Sequence, residues 1–358
     1  MAFTTRTNLK PEDLLKWHKG RGGPKIHDTK HSAGSGNTNY GAGAKLFPTA
    51  FYGGYKANST LSPRDKASGI VNHVPESIVK IDKASKGIKC QKHMMAAADY
   101  ISRHGKIDLE DENGTLLSHD ELESRISDWC KSQNVPYEEI DHKRPADARR
   151  LIISCPKGSD PKAVRAAVKE LAQECFASED FSYLFAIHHK SEEMPNEPDH
   201  PHVHLLIKSV NAKGKRLNLR KSDFRYIRER FAVIAKKYGI DMNATTRAQR
   251  GQTQKAKTQE RIHQEEREWN KHLSPSHPYD LERMKQIDDA LTSGKDLPES
   301  AAKQKAVKTR EKIIKNAALY IKELRASGNA QNIKLAANIG RYINIMPPVE
   351  TSTEELLR

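Results

Sequence analysis

Two hydrophobic periods alternate between residues 75 and 251. Apolar residues at every second position mark strands, and those at every third or fourth mark helices. Ser77–Asp82 reads as a strand, with a turn over Lys83–Gly87. From Ile88 to Arg103 the apolar positions Ile88, Met94, Met95, Ala98 and Ile101 recur at helical spacing and stop before Gly105. Asp108–Gly114 reads as an acidic turn, and Glu121–Ser132 as a helix with Trp129 inward. Arg149–Cys155 is the next strand. A helix from Pro161 to about Cys175 follows, with Ser159 or Asp160 placed to cap it and proline suited to its first position. Ser182–His189 is again a strand, and Ser222 is placed to cap a helix that ends at Tyr238 before Gly239.

The flanks differ from this middle. Residues 1–74 are rich in Gly, Ser, Asn, Lys and His and read as a basic arm in which only Pro11–Lys19 could form a helix. Beyond Gly251 the chain is charged and helix-forming over Gln252–Asn270, Tyr279–Ser293 and Ala301–Ser327, broken at Pro275, Pro278 and Pro298. The expected division is therefore an arm at 1–74, a folded domain at 75–254 and a helical extension at 255–358. No 20–50 residue repeat and no sustained heptad is present.

One strand carries chemistry. In Asp199-His-Pro-His-Val-His-Leu-Leu-Ile207 three histidines alternate with other residues, so His200, His202 and His204 share a face while Val203, Leu205 and Ile207 share the other. Pro201 cannot donate to a ladder and suits the strand's start. Surface histidines on an edge strand would alternate in the same way, but a second pair, His188-His189, lies just upstream. An irregular loop, Lys190–Asp199, joins the two strands, and an antiparallel hairpin is the simplest arrangement. Tyr183, Phe185 and Ile187 then form a bulky face with His189. Leu184, Ala186 and His188 form the other, which matches His202 and His204. His188, His202 and His204 are thus the candidate metal ligands, with His189 the alternative to His188 if a bulge in the long loop reverses the faces.

Charge narrows the class of partner. The 358 residues carry 61 Lys+Arg against 46 Asp+Glu, a net charge of +15. Mean hydropathy is −0.79, so a compact core is not expected to run through the whole chain. The basic balance points to a polyanion, nucleic acid before a membrane surface. No apolar run reaches the length of a bilayer span, and no signal-peptide core is expected at the N-terminus. The four cysteines, Cys90, Cys130, Cys155 and Cys175, have no CxxC spacing and suit free thiols in a reducing cytoplasm. A basic run after Ile207 includes Lys208, Arg216, Arg220 and Lys221, a surface able to track phosphates.

The chain resembles the conjugative relaxases, the mobilisation nucleases of the HUH endonuclease superfamily, in the branch of the T-DNA border endonuclease. The resemblance rests on Asp99-Tyr-Ile-Ser-Arg-His-Gly-Lys106, Leu151-Ile-Ile-Ser-Cys-Pro-Lys-Gly158, Tyr183-Leu-Phe-Ala-Ile-His188, His200-Pro-His-Val-His204 and the segment from Tyr238-Gly-Ile240 to Thr246-Arg-Ala-Gln-Arg-Gly251. It covers about residues 75–251. It implies an α+β sandwich: a largely antiparallel sheet carrying the histidines, with helices packed on it. It also implies that Tyr100 attacks a phosphodiester at a plasmid's origin of transfer, while His188, His202 and His204 hold a divalent metal over the phosphate. The family is described with Mg or Mn, although imidazoles also suit Zn, Ni or Co. Arg103, Lys106, Lys208, Arg216, Arg220, Lys221, Arg247 and Arg250 are the expected DNA contacts. Accessory relaxosome proteins, a type IV coupling protein and a bacterial cytoplasmic location, with export beside the DNA, are further implications. Where the family often has an acidic residue two positions after the first histidine, this chain has Lys190, leaving Asp199, Glu192 and Glu193 as candidate carboxylates.

Two other functions fit part of the pattern. A rolling-circle replication initiator of the same superfamily usually has its tyrosine after the histidines, whereas Tyr100 precedes them. A DNA-binding accessory protein with structural zinc would call for a closed, four-ligand site, typically with cysteine, and no cysteine lies near the cluster. A hydrolytic zinc enzyme lacks its HExxH pattern here.

Overall fold

The fold is built outward from the histidine strand, whose residues are buried on both faces. The computed structural model describes residues 61–82, 87–139, 141–192, 194–254, 257–297 and 299–357. These residues belong to two compact units that divide between Ala244 and Thr245. The first unit contains α1 (Pro63–Val71), β1 (Ile78–Ile81), α2 (Gln91–Ile101), β2 (Leu109–Asp111), β3 (Leu116–Leu117) and α3 (His119–Gln133). It continues with β4 (Ala148–Ser154), α4 (Pro161–Cys175), β5 (Tyr183–His188), β6 (His202–Lys208) and α5 (Lys221–Lys237).

The six strands form one open sheet in the order β1-β4-β6-β5-β2-β3, and every neighbouring pair is antiparallel. Helices cover both faces, which gives the expected α+β sandwich. On one face Leu151, Ile153, Tyr183, Phe185, Val203, Leu205 and Ile207 pack with residues of α4 and α5 such as Val168, Leu171, Ile227 and Phe231. On the other, Ala148, Leu184, Ala186 and Leu206 pack with Met94, Ala98 and Ile101 of α2 and with Leu122, Ile126 and Trp129 of α3. The period of two puts alternate residues on opposite faces. The polar members of the second face, the histidines among them, therefore lie beside the C-terminal end of α2.

Local chemistry sets the boundaries. The N–H groups of Lys162 and Ala163 donate to the Asp160 carboxylate, so Asp160 is the cap of α4. The acidic stretch at 108–114 is not only a turn, because Leu109–Asp111 is strand β2. Its buried acids are matched: Arg165 and Lys169 both lie 2.7 Å from Glu110, and the N–H groups of Asn113 and Thr115 donate to Asp111, as does Arg125. Ser222 does not cap α5. The Asp223 carboxylate accepts from the Arg220 N–H instead, making Arg220 the first flanking residue.

Two further features lie near the expected domain edges. Helix α1 lies inside the stretch read as an arm. Ser62 caps it, Pro63 opens it, and Lys66 pairs with Glu229 of α5 at 2.9 Å. Asn243 donates to the Lys66 carbonyl, and only a glycine at 69 fits there, since a Cβ would fall 2.4 Å from the Asn243 amide. The two compact units divide at 244/245, and residues 245–254 pack within the helical unit. There, Tyr342 donates to the Gln249 carbonyl and Arg310 to that of Gly251. The helix considered for Pro11–Lys19, and the turn at Lys83–Gly87 apart from Gly87, lie outside the described residues.

The second unit consists of α6 (Gln259–Asn270), α7 (Pro278–Ser293), α8 (Ala301–Ala326), α9 (Ala330–Asn344) and α10 (Ser352–Leu357). A turn with Gly328 at φ 65° joins α8 and α9, which bury Ala317, Ala318, Ile321 and Leu324 with Leu335, Ala336 and Ile339. Among the described residues no helix is long and apolar enough to cross a membrane. All four cysteines are free and buried, and burial pushes the Cys130 and Cys155 thiols up to about 11 and about 12.

Candidate metal and tyrosine site

Pairing of β5 with β6 sets His188 directly opposite His202 and Ala186 opposite His204. The three imidazoles therefore project from one sheet face, with ring centroids 5.3 Å (His188–His202), 4.6 Å (His188–His204) and 5.2 Å (His202–His204) apart. Potential ligand atoms of all three lie within 4.8 Å of one another. His200 stays exposed beyond the strand, and His189 projects to the other side, its Nδ1 3.2 Å from the Lys190 carbonyl.

The state of each ring follows from its neighbours. His188 Nε2 lies 2.7 Å from the carbonyl of Ile101 and so donates to it. That carbonyl belongs to the last residue of α2, where no intrahelical donor is available. The bond leaves His188 Nδ1 as the free nitrogen, buried and unpartnered among the described residues; His204 Nδ1 is in the same condition. His202 Nδ1 contacts the His200 carbonyl at 3.4 Å, which leaves Nε2 facing inward. Burial drives the His188 pKa down to about 4 against the opposing pull of the Ile101 carbonyl. Burial and the neighbouring His188 and His202 drive His204 to about 2, and burial also lowers His202. Neutral imidazoles with inward lone pairs are the form that binds a metal ion. A hydrogen bond that fixes the outer nitrogen is typical of such ligands. Orphaned nitrogens in the interior are costly unless something satisfies them, so these residues fit a metal centre.

Tyr100 lies in the last turn of α2, 43 % exposed, with its ring edge-on to His204 at a centroid distance of 5.6 Å. The helix stops abruptly after it. Arg103, His104 and Gly105 have φ of 54°, 57° and 77°, three consecutive left-handed residues. Each non-glycine among them costs roughly 1–2 kcal/mol. The His104 N–H to the Asp99 carbonyl, 2.9 Å, and the Gly105 N–H to Ser102 Oγ, 3.2 Å, hold the turn. This turn carries the Arg103 guanidinium back over the Tyr100 ring, 5.1 Å from its centroid.

Reading the sequence missed three members of this neighbourhood. Glu197, from the loop before β6, pairs with Arg103 through one oxygen and lies 3.9 Å from His202 Nε2 through the other. Arg150 of β4 lies over the Tyr100 ring at 4.5 Å and pairs with Asp82. Of the carboxylates considered earlier, Asp199 is bound on the surface by Lys157 and Lys190, Glu192 is exposed, and Glu193 lies outside the described residues. A loop carboxylate has no periodicity to reveal it, and Arg150 looked like one more strand cation.

The expected DNA contacts are scattered. Arg103 is at the site, and Lys106 is exposed just after the turn. Lys208 ends β6, six residues from His202 and so roughly 20 Å away at strand spacing. Arg216 is half-buried near that far end and donates to the Ala146 carbonyl at 2.9 Å. Arg220 and Lys221 are exposed at the start of α5. Arg247 and Arg250 belong to the helical unit and donate to the carbonyls of Gln254 and Thr245.

Comparison with known proteins agrees with the pattern. The family described as Relaxase: MobA/VirD2-like, nuclease domain, matches over residues 100–240. The T-DNA border endonuclease VirD2 of Rhizobium radiobacter is 28 % identical over 202 residues, covering 52 % of this chain and 44 % of that protein. VirD2 of Agrobacterium fabrum is 26 % identical over 222 residues, covering 57 % and 45 %. The chain thus matches less than half the length of these relatives. Among solved structures, one described as the molecular basis of vancomycin resistance transfer in Staphylococcus aureus aligns at TM-score 0.32 and 16 % identity, covering 48 % of this chain and 99 % of that one. The conjugative relaxase TrwC in complex with oriT DNA aligns at TM-score 0.30 and 13 % identity, covering 66 % and 97 %. Overlaps of that size carry no weight for the site. On the sequence matches, residues 100–240 are similar to the nuclease domain of the MobA/VirD2-like relaxases.

Proposed function

We propose that this protein nicks one DNA strand at an origin of transfer by attack of Tyr100 and later rejoins it. The observation that carries the reading is the placement of an exposed phenol edge-on to a buried, neutral triad of imidazoles. His188, His202 and His204 would hold a divalent cation, with Mg or Mn preferred because phosphate oxygens and waters can complete the shell, and Zn, Ni or Co as alternatives. When bound, such a cation supplies Lewis-acid polarisation of a non-bridging phosphate oxygen.

The remaining chemistry belongs to the chain. The Tyr100 oxygen bonds to phosphorus as the bond to the 3′-oxygen breaks. The phenol gives up its proton and the departing 3′-oxygen gains one. The product is a 5′-phosphotyrosyl ester and a free 3′-hydroxyl. One ester replaces another, so reversal by a 3′-hydroxyl needs no nucleotide cofactor. Arg103 and Lys106, next to Tyr100, are suited to the flanking phosphates, whereas Arg216 serves the fold. A structural zinc site is the poorer reading. Such sites take four protein ligands, and the cluster among the described residues has three. The origin DNA, relaxosome proteins, coupling protein and bacterial cytoplasm implied by the resemblance belong to this proposal.

The test is incubation with labelled single-stranded oligonucleotides and Mg or Mn, followed by denaturing electrophoresis. The wild type should give a protein–DNA adduct, and Tyr100→Phe should give none while still binding the strand. An adduct of undiminished yield from the variant would move the chemistry to another residue.

A further inference from the structure

The Tyr100 ring needs support that its own helix does not supply. It is 43 % exposed at a helix end, beside a turn of left-handed residues. Sheet and helix meet it through Arg150. Arg150, Ile152 and Ser154 alternate on one face of β4, and the last two pair with His204 and His202, so Arg150 projects to the histidine face. Its guanidinium carbon is 4.5 Å from the Tyr100 ring centroid, closer than that of Arg103. The residue is only 8 % exposed, its Nη2 pairs with the Asp82 carboxylate, and its Nε is buried without a partner among the described residues.

Stability alone does not account for this cation. The strands β1 and β4 are already joined there by the Asp82 N–H to the Arg150 carbonyl, 2.9 Å. A well-packed apolar side chain usually serves a buried position as well as an ion pair does, or better. What a planar guanidinium adds is an attraction to an aromatic face, which strengthens as water is excluded.

We propose that Arg150, tethered by Asp82, is a positioning residue for strand transfer that holds the Tyr100 ring edge-on to His204. The inference rests on Tyr100 being the nucleophile. Its physical content is separate, because it concerns how the ring is held before any DNA is present. Misplacing a reacting group by about 1 Å can lower a rate as much as 100-fold, so freeing the ring should act on the rate at saturation rather than on strand affinity.

The experiment uses the full chain with ring-labelled tyrosine, the Tyr100 signal being assigned by its loss in Tyr100→Phe. Arg150→Met should shift that signal toward the position of a freely rotating exposed tyrosine. It should also slow single-turnover adduct formation about 10- to 100-fold at saturating oligonucleotide, with half-saturation changed no more than about twofold. Arg150→Lys keeps a cation and should recover part of the rate. Asp82→Asn should move signal and rate in the same direction by less, and it carries the test if Arg150→Met does not fold. An unchanged Tyr100 signal in folded Arg150→Met and Asp82→Asn overturns the proposal. So does a loss confined to half-saturation, which would make Arg150 a DNA contact. If the wild type cuts no oligonucleotide, the nicking reading fails while the ring signal still decides the positioning.

Discussion

Removing His188 separates the metal reading from the alternatives by a measurable margin. Its ring is fully buried, gives one bond to the Ile101 carbonyl and leaves Nδ1 without a partner among the described residues, beside the rings of His202 and His204. His188→Ala leaves that carbonyl unpaired, which costs about 1–3 kcal/mol in the metal-free protein. The larger effect is on the metal-bound form. Loss of an outer-shell partner alone weakens a site about 10- to 100-fold, so loss of a ligand should weaken it at least about 100-fold. At a metal concentration about 1,000 times the wild-type Kd, binding stabilises the wild type by about 4.1 kcal/mol and the variant by about 1.4 kcal/mol. At about 2–4 °C per kcal/mol for a domain of this size, a rise in Tm of roughly 8–16 °C should shrink to roughly 3–6 °C. The assay is thermal unfolding with Mg, Mn, Zn, Ni or Co added in series against chelator. His189→Ala, whose ring lies on the other side of the strand, should keep the full shift. A metal-dependent rise that survives His188→Ala but disappears in His189→Ala would refute the assignment. No rise with any of the five metals would refute the metal site itself.

Other perturbations test single contacts. Glu197→Gln keeps the shape but removes the charge that faces His202 and Arg103, so metal affinity by calorimetry should fall about 10- to 100-fold; unchanged affinity would confine Glu197 to holding Arg103. Arg216→Ala should lower Tm without making the salt dependence of strand binding shallower, because its guanidinium is bound to the Ala146 carbonyl far from the triad; a slope reduced by about 0.7 would return it to the DNA contacts. For Asp111, burial would raise the pKa, but the N–H groups of Thr115 and Asn113 and the Arg125 guanidinium outweigh it and hold the carboxyl below its usual range. The stabilisation is therefore complete above the unfolded pKa near 4 and is lost as pH falls through the lower folded value. Asp111→Asn should flatten that acid limb and cost about 1–3 kcal/mol at neutral pH, as urea titrations at pH 2.5–7 would show.

What was legible in the chain was whatever depended on short periods. Helices α3 and α4 and strands β4, β5 and β6 appear within a residue or two of their expected limits, because burial on a face imposes its spacing directly. Elements stabilised from a distance were missed. Strand β2 looked like a turn because its acids are matched by Arg165, Lys169 and Arg125, all distant from it in sequence or borne on other elements. Helix α1 is short and weakly patterned, and it depends on Glu229 and Asn243, about 160 residues and more away. Helix α9 is a different case. Its apolar positions, Leu335, Ala336 and Ile339, are spaced for a helix, but they gain a partner only when the Gly328 turn folds them back on α8.

The same distinction runs through the site. An antiparallel pair has only two faces, so residue parity alone brought His188 to the side of His202 and His204. No comparable rule governs a loop. Glu197 reaches His202 because the chain between β5 and β6 folds back over Arg103, and Arg103 is in place only because two non-glycine residues accept left-handed backbone beside Tyr100. That strain is retained where it aims side chains at the candidate nucleophile, as expected of a turn kept for function rather than stability. Two tethered cations follow from it. Arg103 is held by Glu197 and Arg150 by Asp82, and both guanidinium groups lie over one phenol ring. Each carboxylate fixes an arginine and partly neutralises it, leaving the ring in a directed rather than a diffuse positive field. A phosphodiester entering this field would meet donors whose geometry is already set, which lowers the reorganisation required at the moment of reaction.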